Sequence, residues 1–113
     1  MGTIAGGGVM RAIINRRRYD TSTAVEIVSY DNGLGDSDFR NEQSTLYKTK
    51  NGRYFIAGEG GPMSRWSVAC GGNCTRGGEG IVEFTYDEAY EWCEGLGFFK
   101  TIENEFSDLI KEG

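Results

Sequence analysis

The chain has 113 residues and a formal net charge of −5, with 18 glycines, one proline and three cysteines. It contains no histidine, which excludes histidine-based catalysis and histidine metal ligands. It shows neither an apolar run of about 18 residues nor a basic and apolar leader, so we expect no membrane span and a cytoplasmic protein.

The first part of the chain predicts a short tail and two strands. Residues 1–9 are uncharged and glycine-rich, which favours a flexible end or a cloning remnant before one domain over residues 10–113. The β-branched run 11–15 predicts a strand, residues 16–20 predict a turn, and the alternating run 24–28 predicts a second strand.

A β-hairpin is predicted around Asn51-Gly52, which separates two runs rich in strand-forming residues. Asn-Gly favours a two-residue type I′ turn, because both central residues need positive φ. This register places four side chains on one core-facing side: Tyr47, Thr49, Tyr54 and Ile56. Lys48 and Lys50 then point toward water.

Residues 58–80 contain most of the remaining glycines and predict a long loop that is either functional or pinned. A glycine-rich loop can also hold phosphate, but no P-loop signature is present. A last strand is predicted at 81–84.

Two helices are predicted at the C-terminal end. Thr85 and Glu88 form a capping-box pattern, and the helix that follows places Ala89, Trp92, Cys93 and Leu96 on one face. Thr101 predicts the cap of a second helix through Lys111. The order of elements therefore predicts an α+β fold, a small antiparallel β-sheet with hairpins followed by two C-terminal helices.

The cysteines predict a zinc site. An odd count without an export signal favours a reducing compartment and argues against a disulfide framework. Cys70 and Cys74 flank a glycine-rich turn and Cys93 lies on the first predicted helix, so three thiolates are expected to hold Zn²⁺ and pin the loop. The fourth ligand is then Glu79, Asp87, Glu94, water or a partner residue. The alternative is a small buried Cys93 and two free thiols.

Charge is distributed unevenly along the chain. Residues 1–78 carry ten basic and seven acidic residues, whereas residues 79–113 carry two basic and ten acidic residues. The acidic part argues against direct nucleic-acid binding and favours a basic partner surface, although a solvated helical face would have the same composition. Four arginines, at positions 11 and 16–18, are only a weak signal for nucleic-acid binding, because a solvated strand edge uses the same residues. Acidic pairs are abundant, but no spacing selects a catalytic pair, so we expect no enzyme.

Several segments together resemble a family of small proteins from bacteriophages and integrated elements of low-GC Gram-positive bacteria. The segments read INRRRYDTSTA (14–24), LYKTKNGRYF (46–55), GEGGPMSR (58–65), GGEGI (77–81) and DEAYEW (87–92). The family pattern reads ING-x-x-YDT-x-TA, LY-x-T-x-x-G-x-Y/F-F, GEGG-x-x-S-x-Y/W, GGE-x-I and EEA-x-EW, and the match spans about residues 10–94. The family loop often lacks Cys70 and Cys74, so a zinc site would belong to this branch.

The resemblance implies an accessory phage protein, and such small acidic proteins include anti-CRISPR inhibitors of type II Cas9. An inhibitor of this kind would block DNA engagement by occupying a basic channel in the host cytoplasm. The expected contacts are Glu88, Glu91, Glu94, Glu103, Glu105 and Asp108. The rival prediction is a zinc-stabilised phage protein that binds nucleic acid through Arg16–Arg18 and a loop bearing Arg65 and Arg76.

Overall fold

A computed structural model describes residues 9–35 and 37–113, so all but one residue of the predicted tail lie outside the described residues. The strands are β1 (Arg11–Ile14), β2 (Arg17–Asp20), β3 (Val25–Asp31), β4 (Glu42–Lys48), β5 (Tyr54–Gly60), β6 (Val68–Gly71), β7 (Cys74–Arg76) and β8 (Gly78–Phe84). The helices are α1 (Tyr86–Leu96), α2 (Phe99–Glu105) and a 3-10 helix (Ser107–Leu109). All strand pairs are antiparallel, which confirms the predicted α+β fold.

A four-stranded sheet in the order β3-β4-β5-β8 forms the middle layer. Because side chains alternate along a strand, each face of this sheet has its own core. On one face, Leu46, Tyr54 and Ile56 pack against α1 and α2. On the other face, Tyr47 and Phe55 pack against the β1–β2 hairpin.

The Asn51-Gly52 hairpin forms, but its predicted register is wrong by one residue. The amide of Thr49 donates to the carbonyl of Arg53 at 2.7 Å, and that of Gly52 donates to the carbonyl of Thr49 at 2.9 Å. Thr49 therefore pairs with Arg53, and the loop between them has three residues. Among these three only Gly52 has positive φ (85°), so this is not a type I′ turn.

This slip changes which side chains share a face, because a strand alternates with a period of two. Lys48 pairs with Tyr54, and Tyr47 pairs with Phe55. Tyr47 therefore lies on the opposite face from Tyr54 and Ile56. Lys48 lies on the helix side, where its ammonium is 3.6 Å from the Glu105 carboxylate, instead of pointing to water as predicted.

A two-residue turn with positive φ instead joins β1 to β2, at Asn15 (52°) and Arg16 (66°). The prediction of a turn over residues 16–20 is therefore wrong, since β2 starts at Arg17. The hairpin is tied to the sheet by Glu83, which accepts hydrogen bonds from the Tyr19 hydroxyl and from Nδ2 of Asn15.

Helix α1 begins as predicted at a capping box. The amide of Glu88 donates to Oγ1 of Thr85 at 3.1 Å, and the amide of Thr85 donates to Oε1 of Glu88 at 2.8 Å. Helix α2 differs from the prediction, because it starts at Phe99 and ends at Glu105. Thr101 is inside it and does not cap it.

The glycine-rich stretch 58–80 is not one long loop, since it contains the end of β5, the β6–β7 hairpin and the start of β8. Its glycines allow Trp66 to lie directly on the sheet. A Cβ on Gly58 would stand 2.7 Å from Nε1 of Trp66, and one on Gly80 would stand 3.5 Å from the indole ring. Nε1 of Trp66 donates to the buried Ser44 hydroxyl at 2.9 Å. A buried tryptophan therefore pins this stretch.

Candidate partner-binding surface

The outward side of α1 carries carboxylates along its length. At 100° per residue, Glu88, Glu91 and Glu94 lie opposite the buried Ala89 and Cys93, and all three are exposed. Asp87 adds a fourth exposed carboxylate, and the helix contains no lysine or arginine. The predicted contact residues of α1 therefore do share one solvent-facing side.

The carboxylates of α1 differ in how they are held. Glu88 belongs to the capping box, and Glu94 accepts a hydrogen bond from the Tyr90 hydroxyl at 3.0 Å. Asp87 and Glu91 have no hydrogen bond or ion pair within the part of the chain that the structure describes. They are therefore the carboxylates of α1 most available to a partner.

Of the three predicted contacts on and after α2, Glu105 and Asp108 form hydrogen bonds within the protein, whereas Glu103 forms none among the described residues. Glu103 is exposed on α2. Glu105 turns inward, where it accepts a hydrogen bond from the Tyr54 hydroxyl at 2.8 Å and approaches Lys48. Asp108 accepts a hydrogen bond from the Tyr86 hydroxyl.

The contact at Tyr86 joins the chain end to the start of α1. The hydrogen bond to Asp108, followed by partial burial, raises the pKa of Tyr86 to about 12. The hydroxyl therefore stays protonated at neutral pH and holds Asp108 through a side chain of the first turn of α1. The residues that follow α2 are thus tied to the start of α1.

The structure contradicts the predicted zinc site. Cys70 and Cys74 form a disulfide on the exposed β6–β7 hairpin, which also corrects the expectation of reduced cysteines there. Cys93 is fully buried on the inner side of α1, and burial raises its pKa to about 11, whereas zinc binds the thiolate. Within residues 9–35 and 37–113 no cluster of three or more Cys, Asp or Glu could hold a metal ion.

The candidate fourth ligands do not form a zinc site with the cysteines either. Asp87 and Glu94 point outward from α1, and Glu79 lies on β8. A disulfide sulfur carries no thiolate charge, so Cys70 and Cys74 cannot act as the predicted ligands in this state.

The predicted basic surface is divided between two faces of the molecule. Arg16, Arg17 and Arg18 belong to the β1–β2 ribbon (residues 11–20), which lies on the hairpin face because it covers Tyr47 and Phe55. Arg65 lies with Trp66, its guanidinium 5.8 Å from the indole ring centroid and 5.9 Å from that of Phe84. Both of these rings belong to the helix-side core, so Arg65 does not extend the ribbon surface.

A groove of about 860 Å³ on the hairpin face was not predicted from the sequence. Four paired residues cross its floor, one from each strand of the central sheet: Asp31, Gln43, Glu59 and Glu79. Strand alternation could have indicated this row, because it sets which residues share a face once the register of β4 and β5 is known. The predicted hairpin register was wrong by one residue, so it did not align these four residues.

Comparisons with protein-family models, with curated proteins and with solved structures found no match. Over the described ranges, no helix is both long and apolar enough to cross a lipid bilayer.

Proposed function

We propose that the protein is a binding protein that acts by occupancy, with the acidic surface of α1 seated in a positively charged groove of a protein partner. The partner is a Cas9-type nuclease in the bacterial cytoplasm, and the bound protein blocks its engagement of DNA. The resemblance to proteins of phages and integrated elements supports this choice of partner. A basic nucleic-acid channel is the complementary surface for a row of carboxylates.

The observation that carries the proposal is the outward side of α1, which holds four exposed carboxylates and no basic residue. Carboxylates on one helix repel one another, so the arrangement costs stability in the free protein. A basic partner removes that cost and adds attraction, which speeds encounter as well as strengthening the complex.

Occupancy requires surface and shape without a reactive centre. The two carboxylates that are turned toward the protein, Glu105 and Asp108, are used to hold α2 and the chain end against the sheet and α1. We therefore assign them to positioning the acidic surface and assign the direct contacts to Glu88, Glu91, Glu94 and Glu103.

Charge reversal tests the proposal. The variant Glu91→Lys with Glu94→Lys should bind a Cas9 from a Gram-positive host about tenfold or more weakly than the wild type, mainly through a slower association rate. Surface plasmon resonance at two salt concentrations measures both rates.

The matched control reverses the same number of charges on the edge strand β3, with Glu26→Lys and Asp31→Lys. Both of these side chains are exposed and lie outside the helices. The control should bind like the wild type. Equal loss in both variants, or unchanged binding of the α1 variant, contradicts the role of α1, and no binding of the wild type contradicts the choice of Cas9.

A further inference from the structure

The tip of the β1–β2 ribbon (residues 11–20) is strongly basic. Arg16, Arg17 and Arg18 are exposed, and none forms an ion pair within the described residues. Hydrogen bonds from Tyr19 and Asn15, together with the positive charges of Arg17 and Arg53, lower the pKa of Glu83. Arg53, from the β4–β5 turn, therefore lies close to the same tip.

The backbone at the tip is costly for arginine. Asn15 and Arg16 both have positive φ, and Asn-Gly is the preferred pair for such a turn. A residue with a Cβ costs about 1 kcal/mol more than glycine in the left-handed region. Arg16 thus occupies a strained backbone position at the outermost point of the ribbon, which is typical of residues with a functional role.

The ribbon is held rigidly on the sheet. Glu83 accepts from Asn15 at 2.7 Å and also from the Tyr19 hydroxyl, and the Tyr19 ring packs 5.3 Å from that of Phe55. Tyr19 is 1% exposed. A rigid surface binds with little loss of conformational entropy.

One carboxylate, Glu83, lies at the tip, where it accepts a hydrogen bond from Asn15, and Asp20 at the base of the ribbon is paired with Arg11. Arg16, Arg17 and Arg18 still outnumber these carboxylates. The α1 carboxylates are on the opposite face of the sheet, since α1 packs against the other core. Glu79, at one end of the row that crosses the groove, is four residues along β8 from Glu83, or roughly 13 Å at the rise of a strand. Glu79 is therefore beyond the screening length of about 8 Å at physiological salt, and the surplus of arginines gives the tip a locally positive field.

We propose that the β1–β2 ribbon binds the phosphodiester backbone of duplex nucleic acid. The major groove, about 12 Å wide, admits a two-stranded ribbon, and guanidinium groups pair with phosphate oxygens. Ile13, 74% exposed, is the register partner of Arg18 on the outer side of the ribbon. It supplies an apolar contact between the charged ones. This activity is separate from the proposed binding through α1.

The test is fluorescence anisotropy with a 20-base-pair DNA duplex across a series of salt concentrations. The ribbon variant combines Arg16→Gly, Arg17→Ser and Arg18→Ser, and Arg16→Gly should also raise thermal stability, because it relieves positive φ. We expect duplex affinity to fall about tenfold or more and the logarithmic salt slope to decrease by about 2–3. The control makes the same charge change at exposed residues elsewhere, Arg76→Ser, Lys100→Ser and Lys111→Ser, and should keep the wild-type slope.

Three results would overturn the proposal: no duplex binding by the wild type at low salt, equal loss in ribbon variant and control, or displacement of the duplex by polyglutamate at matched charge. The last result would indicate a surface for acidic proteins. The α1 variant Glu91→Lys with Glu94→Lys should retain duplex binding, so failure of this proposal is distinguishable from failure of the Cas9 proposal.

Discussion

Asp20 shows how one side chain closes the base of the ribbon. It is 8% exposed and accepts hydrogen bonds from the hydroxyl of Ser22 at 2.6 Å, from the amide of Ser22 at 2.8 Å and from Nε of Arg11 at 2.9 Å. The bonds from Ser22, followed by the interaction with Arg11, lower the pKa of Asp20 from 3.8 to about 2. The carboxylate is therefore stabilised in its charged form in the folded protein.

This shift predicts a specific loss of stability in acid. A carboxylate whose pKa is lower in the folded state stabilises the fold above its unfolded pKa, and this contribution disappears as the pH falls from about 4 to about 2. Asp20→Asn should therefore lower the thermal midpoint more at pH 5 than at pH 2.5, as measured by circular dichroism. Asp31→Asn, at an exposed position, is the control. An equal effect of Asp20→Asn at both pH values would contradict the assignment.

At the scale of elements, the contact between β5 and the segment that carries Trp66 decides how closely the layers pack. Gly58 is buried, and a Cβ there would meet the indole of Trp66 at 2.7 Å and Cα of Ser44 at 2.9 Å. Backbone cannot move aside without breaking the β4–β5 pairing. The glycine is thus required by space, since its φ is not positive.

Gly58→Ala should accordingly reduce the free energy of unfolding by about 1–3 kcal/mol through overpacking. Gly95→Ala is the matched control, for which we expect the free energy of unfolding to increase. Nothing lies within 4 Å of its added Cβ, and alanine in a helix should stabilise α1 by about 0.5–1 kcal/mol. Urea unfolding measures both variants. A neutral Gly58→Ala would show that Trp66 does not lie against β5.

At the scale of the whole molecule, one sheet has a core on each face, and the outward side of α1 and the ribbon tip carry charges of opposite sign. The helix side carries the carboxylates of α1, and the ribbon tip carries the arginines. The disulfide lies outside both cores, on the exposed β6–β7 hairpin. Stability therefore depends on the two cores, with a local contribution from the disulfide.

Metal removal and reduction should consequently have different effects. A chelator should leave the thermal midpoint unchanged. Replacing Cys70 and Cys74 by serine should cost about 2 kcal/mol or less, because the disulfide closes a very short loop. Cys93 should react with a thiol reagent only on unfolding, as a kinetic thiol assay would show. A midpoint that falls with the chelator would restore the metal hypothesis for the whole chain.

Much of the local structure could be predicted because it depends on neighbours in sequence. The capping box at Thr85 needs only a hydroxyl and a carboxylate three residues apart, and it formed as predicted. The β-branched run that became β1, the alternating run that became β3 and the strand-forming runs that became β4 and β5 also carry their own signal, and the same is true of the buried stripe of α1. From these the α+β class followed, together with the exposure of Glu88, Glu91 and Glu94.

Local sequence patterns were enough to place β1, β3, β4, β5, β8 and α1, with the acidic outward side of α1, because dihedral preferences and side-chain periodicity act over a few residues. The row from Asp31 to Glu79 and the packing on both faces of the sheet were settled by contacts between residues far apart in the chain. The β4–β5 register and the disulfide between Cys70 and Cys74 involve neighbours in sequence, but their local patterns also suit the two-residue turn and the metal site that were predicted. Trp66 needs the glycines of β5 and β8, and Tyr19 needs Glu83, and no local pattern encodes which distant partner a side chain will meet.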